Sequence, residues 1–151
     1  LSINTAREGH TYPSVDYQVG SEAIREFAVA VKNQHPSHHQ AEAAQALGHR
    51  DIIAPPSFAV VVSQKAEAEV VKDPEVGIDF SRVVHADERF THHSPITAGD
   101  NLTAATTLER IRIMGAGAMV TTSTEIHTED GTRRATVTSS LLVRADDEEE
   151  N

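Results

Sequence analysis

The segment Ala54–Lys72, "APPSFAVVVSQKAEAEVVK", limits the possible folds more than any other stretch of the chain. Pro55 and Pro56 cannot sit inside a helix but fit its first turn, where an N–H has no intrahelical partner. A helix is therefore expected to start there and to run to about Lys72, with Asp73-Pro74 stopping it. Its first half, "SFAVVV", is apolar on every side, whereas the second half carries Lys65, Glu67 and Glu69. A helix that is apolar all round is enclosed by other structure. In 151 residues with no Trp and only 4% aromatics, that enclosure must be built mainly from Val, Ile, Leu and Ala.

The rest of the chain supplies it. "SEAIREFAVAVK", Ser21 to Lys32, sets Ala23, Ile24, Phe27, Ala28 and Val31 at helical spacing, with Ser21 available as N-cap. "HQAEAAQALG" reads as a short alanine-rich helix ended by Gly48, which suits the left-handed position after a helix. Beyond Val83 the pattern is that of strands rich in Thr and Val: "VVHADERFTHH", "LTAATTLERIRIM", "AMVTTSTEIHT" and "RRATVTSSLLVRA". In the second of these, Leu108, Arg110 and Arg112 alternate with Glu109, Ile111 and Ile113, and "EDGT" is a hairpin signal. A short N-terminal strand, two or three helices and four long antiparallel strands make an α+β chain. One enclosed helix and one long sheet imply that the sheet curls around the helix.

Charge and composition remove several classes of function. The formal net charge of −10 opposes binding to a phosphate backbone, so no nucleic-acid partner is expected. The absence of cysteine excludes disulfides, thiolate metal ligands and cysteine nucleophiles, and is compatible with a cytoplasmic location. No apolar run approaches the roughly 20 residues of a membrane span, and "LSINTAREGH" lacks the apolar stretch of a signal peptide. Residues 146–151, "DDEEEN", read as a solvated, disordered acidic tail.

The densest group of proton-handling side chains is "KNQHPSHHQ", Lys32 to Gln40. Together with "LGHRDIIAPPSF" further along the chain, it resembles the hydratase motif of the MaoC-like hot-dog (R)-specific hydratases and dehydratases. There, Asp-x-Asn-Pro-x-His precedes a small helix, a glycine and an "I-A-H-G" at the start of the central helix. On that pattern Asn33 stands at the Asp position, His35-Pro36 at Asn-Pro, and His38 at the His position. "HADERFTHHSPITAGDNL" is similar to the family's strand and Pro-Ile-x-x-Gly-Asp turn, carried here by Pro95, Ile96, Gly99 and Asp100. The resemblance runs from about Gly9 to Ala145. Within the family it is nearest to the actinobacterial group of (3R)-hydroxyacyl-ACP dehydratase subunits, the FAS1-like dehydratase domain. It implies a single hot-dog domain over 1–145, an antiparallel sheet wrapped around a central helix, working as a homodimer or as a heterodimer with another hot-dog subunit.

The implied activity is dehydration of a (3R)-hydroxyacyl thioester of CoA or ACP, or hydration of the enoyl thioester, in fatty-acid metabolism. That chemistry needs a proton removed beside the thioester and a departing hydroxide protonated, and a positioned acid and base contribute about 10² to 10⁴-fold. A backbone N–H near the start of the central helix would meet the developing enolate. Asn33 departs from the pattern, since an amide holds a water but takes up no proton at physiological pH. His38 keeps an imidazole, a side chain suited to acid or base work near neutrality. Pro56 has no N–H to offer, which leaves Ser57 next in line. His38 and Asn33 are thus the expected catalytic pair, and Ala54, Ser57 and Phe58 the expected substrate-binding residues.

Two further functions remain open. A non-catalytic acyl-thioester-binding or partner-stabilising subunit is favoured by the loss of the carboxylate. An acyl-CoA thioesterase is a weaker alternative, because the MaoC-type motif speaks against it. No metal or other cofactor is expected. "HPSHH" is not a ligand spacing, and strand alternation would send His92 and His93 to opposite faces. His35 reads as a turn residue and His39 as solvent-exposed.

Overall fold

In the computed structural model, residues 3–115 and 117–145 are described. The acidic tail expected over 146–151 lies outside them. A short strand β1 (Val15–Gln18) leads into helix α1 (Ser21–Ala30), a loop and helix α2 (Ala41–Ala46). The long helix α3 (Ala59–Lys72) follows a single 3-10 turn at Pro56–Phe58. Four strands follow among the described residues: β2 (Val83–His92), β3 (Asn101–Met114), β4 (Gly117–Thr128) and β5 (Arg133–Arg144). All pairings are antiparallel, in the order β1-β3-β4-β5-β2. The sheet carries α3 on one face, so the fold is a hot-dog, and the helix that is apolar all round lies where its sequence required.

Local details depart from the sequence expectations. Ser21 is not the N-cap of α1: Gly20 holds that position, and no side chain caps it. The helix ends at Ala30, and Lys32 takes a left-handed conformation with φ 59°, which turns the chain sharply just before Asn33. Gly48, with φ 93°, does terminate α2 as expected. In β3 a bulge between Leu108 and Arg110 breaks the alternation, so Leu108 and Ile111 are both buried while Arg110 and Arg112 face out.

The core falls into two apolar clusters along α3. Around its N-terminal half, Phe58 and Val62 pack with Ile24, Ile52, Leu102, Ile126 and Val137. Phe58 is 1% exposed and meets Phe27 edge-on at 5.4 Å between ring centres. Around the C-terminal half, Val70 packs with Tyr12, Leu108, Val120, Leu141 and Val143.

Between the clusters runs a belt of buried polar groups. Glu67, expected on the charged half of the helix, is only 5% exposed. Its Oε2 accepts from Thr122 Oγ1 at 2.6 Å, and His85 Nε2 lies 3.4 Å from its Oε1. Ser139 donates to the Glu88 carboxylate at 2.8 Å, and the Thr106 and Thr124 hydroxyls meet at 2.6 Å. Burial, with Glu67 nearby, holds the Glu88 carboxyl above its ordinary range.

Candidate active site

The loop after α1 is shaped by its own polar side chains. Asn33 Oδ1 accepts from the His35 N–H at 3.1 Å, and His35 Nδ1 accepts from the Ser37 N–H at 3.2 Å. These local bonds start the 3-10 turn Pro36–His38. His35 is therefore the turn residue that its place before Pro36 indicated. His39 differs from expectation. It is half-buried, and its Nε2 donates to the Asn33 carbonyl at 2.8 Å, while Arg25 Nε donates to the His39 carbonyl at 2.9 Å. The ring fastens the loop to itself and the backbone to α1.

His38 is 7% exposed, and its Nδ1 lies 2.6 Å from the carbonyl oxygen of Ile53. A carbonyl only accepts, so Nδ1 carries the hydrogen of the neutral ring and Nε2 keeps the lone pair. The Ile53 N–H in turn donates to the Ser37 carbonyl at 3.0 Å, so the loop and the approach to α3 are stitched together at two successive residues. The approach strand, the extended residues 52–54 ahead of α3, is held from its other side by Ala54 N–H to Ile96 O at 2.8 Å and Ala98 N–H to Ile52 O at 2.9 Å.

A cleft of about 730 Å³ opens here. Asn33, His35 and His38 border it from the loop, Ile53 to Pro56 from the head of α3, and His92 to Ile96 from the end of β2 and the turn beyond. The walls are mostly apolar, and polar side chains face the cleft from both sides, Asn33, His35 and His38 from the loop and His92, His93 and Ser94 from the other wall. Of the expected substrate-binding residues, only Ala54 borders the cleft. Phe58 is turned into the core, because the 3-10 turn rotates its ring against Phe27 and Tyr17. Ser57 is half-buried and also outside the lining, although its N–H is the first backbone donor after two prolines.

His92 and His93 both border this cleft, against the expectation of opposite faces. Strand β2 ends at His92, so alternation no longer governs the next residue. Among the described residues no three His, Asp or Glu side chains form a group able to hold a metal ion. Ser94, Leu47 and Ile53 are not legible as site residues, since nothing in their types marks them. Gly99 and Asp100 serve the turn: Asp100 Oδ2 accepts from the Thr97 N–H at 2.9 Å.

Comparison with known proteins agrees with this fold. A UPF0336 protein from Streptomyces griseus is 42% identical over 149 residues, covering 98% of this chain and 99% of its own length. The truncated HadBC (3R-hydroxyacyl-ACP dehydratase) complex of Mycobacterium tuberculosis contains a chain 30% identical, with a TM-score of 0.82 over 94% of this chain and 99% of that one. A MaoC-like dehydratase is 32% identical with a TM-score of 0.84, matched over 93% of this chain and 43% of its own. The family model of the FAS1-like dehydratase domain region matches residues 6–137. A match of that extent, on a sheet wrapped around one buried helix, makes this chain a member of the FAS1-like dehydratase domain family.

Proposed function

We propose that the chain is a subunit of a (3R)-hydroxyacyl-thioester dehydratase, acting equally as an enoyl-thioester hydratase, with His38 as its proton-transfer group. One observation carries this reading: a buried imidazole beside an apolar cleft, with Nδ1 committed to the Ile53 carbonyl and Nε2 left basic. In dehydration, Nε2 takes the proton from C2 of the substrate and then gives it to the C3 hydroxyl, which leaves as water as the double bond forms. Asn33 orients that hydroxyl through its amide NH₂, since its Oδ1 is occupied by the His35 N–H. The thioester oxygen, which gains charge in the enolate, would need the Ser57 N–H or a donor from another chain. A thioester of CoA or of ACP would serve, and a cytoplasmic setting fits both.

The second reading is a non-catalytic acyl-binding subunit that completes a partner. It is favoured by the same Asn33, whose amide cannot take up a proton, and by the missing N–H at Pro56. Hydration of crotonyl-CoA by the purified chain, alone and with a second hot-dog chain bearing an intact Asp-x-Asn-Pro-x-His, separates the two. Activity alone supports the first, and activity only with the partner supports the second. Asn33→Asp should raise activity by up to about 10²-fold, because the carboxylate restores a second proton carrier and still accepts from the His35 N–H.

Assembly belongs to the same proposal. Strand β2 is ten residues long and pairs only with β5 among the described residues, which leaves an open sheet edge. A dimer joined edge to edge covers it. Sedimentation should find a dimer at micromolar concentration, and a 16 kDa species alone would exclude it.

A further inference from the structure

The Pro95–Asp100 turn lies outside the chemistry proposed above, yet it contains a carboxylate with an unusual number of partners. The Asp100 side chain is 3% exposed. Arg134, on β5, grips it with two parallel bonds, Nε to Oδ2 at 3.0 Å and Nη2 to Oδ1 at 3.2 Å. Arg50, just ahead of the approach strand, adds Nη2 to Oδ1 at 3.1 Å, and the Thr97 N–H closes the turn onto Oδ2. Three further donors therefore join the one a turn requires. A buried carboxylate held by a bidentate guanidinium is a rigid, oriented element.

This turn is the ruler against which the approach strand is aligned. Ile53 forms an isolated antiparallel bridge with Thr97, flanked by Ala54 N–H to Ile96 O and Ala98 N–H to Ile52 O. Ile53 is also the residue whose carbonyl accepts from His38 Nδ1. The path from Asp100 to the imidazole thus runs through the Thr97 N–H, the bridge and the Ile53 carbonyl. Arg134 also donates from Nη1 to Ser94 Oγ at 2.8 Å, which fixes a residue of the cleft wall from the same side chain.

We propose that Asp100 is a positioning residue of the site: clamped by Arg134 and Arg50, it fixes the Pro95–Asp100 turn, hence the Ile53 carbonyl, hence which nitrogen of His38 carries the hydrogen. Its use in catalysis rests on His38 being the proton-transfer group, but its effect on the ring does not. Without the clamp the bridge loosens, the 2.6 Å bond from His38 is made only part of the time, and the neutral ring divides between its two tautomers. A ring with its hydrogen on Nε2 cannot accept the substrate proton there.

Nitrogen-15 resonances of the imidazoles, assigned with His38→Gln, test this in the full chain. In the unaltered protein the neutral His38 ring should be a single Nδ1–H tautomer. Asp100→Asn should shift both ring nitrogens toward the values of a tautomer mixture, and kcat should fall at least tenfold with little change in KM. Leu108→Ala, in the far core cluster, serves as a control that lowers stability and should leave the His38 resonances in place. If Asp100→Asn does not fold, Arg50→Gln, at a side chain 66% exposed, should give a smaller shift in the same direction. Unchanged His38 resonances in the folded variants would overturn the proposal, as would equal shifts in Leu108→Ala. A tautomer shift with no loss of activity would leave the positioning intact and refute the catalytic role of His38.

Discussion

The two ends of the central helix are built in opposite ways. At the C-terminal end, Asp73 is saturated: Tyr12 Oη donates at 2.6 Å, Arg7 Nη2 at 3.0 Å and the Glu75 N–H at 2.9 Å. Tyr12 above all, with Arg7 and the Glu75 N–H, holds the Asp73 carboxyl below its ordinary range, and burial together with Asp73 pushes the Tyr12 hydroxyl up to about 12. At the N-terminal end, Pro55 and Pro56 bring no N–H and no side chain caps the start. A cleft opens over that end, and the ring beside it keeps one nitrogen uncommitted. One end surrounds its carboxylate with donors and anchors the N-terminal segment. The other goes without a cap, with His38 Nε2 uncommitted beside the cleft. The anchoring contacts and the proposed site lie about four helical turns apart on one element.

If that division holds, substitutions at the two ends should differ in kind. His38→Ala should lower hydration of crotonyl-CoA by about 10² to 10⁴-fold, equivalent to roughly 3–5 kcal/mol of barrier. Its stability should fall by only about 1 kcal/mol, the worth of one neutral hydrogen bond. Steady-state kinetics and urea unfolding on the same samples measure both. Activity that survives His38→Ala, in the chain alone or in a complex, would erase the contrast.

Tyr12→Phe should do the reverse, costing about 1.5–3 kcal/mol of unfolding free energy, as expected for a bond to a charged group, with kcat unchanged. The pH dependence carries the sign. A carboxyl held low in the fold contributes stability that is present above its unfolded value, near 3.9, and lost as pH falls through its folded value. The deficit of Tyr12→Phe should therefore be full at neutral pH and shrink below about pH 4. A deficit that stays constant down to pH 2 would mean that Asp73 is not the partner that matters.

The smallest effect is expected between the two ends. Glu88 is held high by burial, so its contribution runs the other way: full below its ordinary value near 4.5, and lost as pH rises through its folded value. Glu88→Gln keeps an acceptor for Ser139 and removes the charge. Relative to the unaltered protein it should gain stability as pH rises from about 4.5. Thermal unfolding from pH 4 to 8 reads this directly, and a loss at neutral pH would show that the ionised form is needed.

The elements are legible in the sequence because their signals are local. The prolines at 55 and 56, Gly48 and the Thr-Val alternation each act within a few residues of themselves. What escapes depends on partners far along the chain. Glu67 reads as a solvent-side residue because its neighbours Lys65 and Glu69 are charged, yet it is buried against Thr122, 55 positions away. The bulge in β3 has no residue signature, and so plain alternation puts Leu108 and Ile111 on opposite faces. His39 reads as exposed because the turn that folds it back onto the Asn33 carbonyl begins with left-handed Lys32, a residue that rarely adopts that shape. Asn33 and His38 can be named from the motif. That the partner of His38 is a backbone carbonyl at Ile53 cannot, since a carbonyl has no letter in the sequence.

The alternation of side chains along β4, under the central helix, also acts on the way the chain assembles. Side chains alternate across a strand, so sliding β4 by one residue against its neighbours would exchange its inward and outward sets. In the native register Thr122 and Thr124 point inward, beneath α3. A slip would turn Met119, Thr121, Ser123 and Glu125 to the interior, and would bury the Glu125 carboxylate, which is exposed in the native register. An unpaired buried charge costs several kcal/mol. A purely aliphatic sheet would tolerate such a slip far better. The inward set of β4, Ala118, Val120, Thr122, Thr124 and Ile126, therefore suits the interior in one alignment of the strand, a choice made by alternation rather than by aromatic bulk.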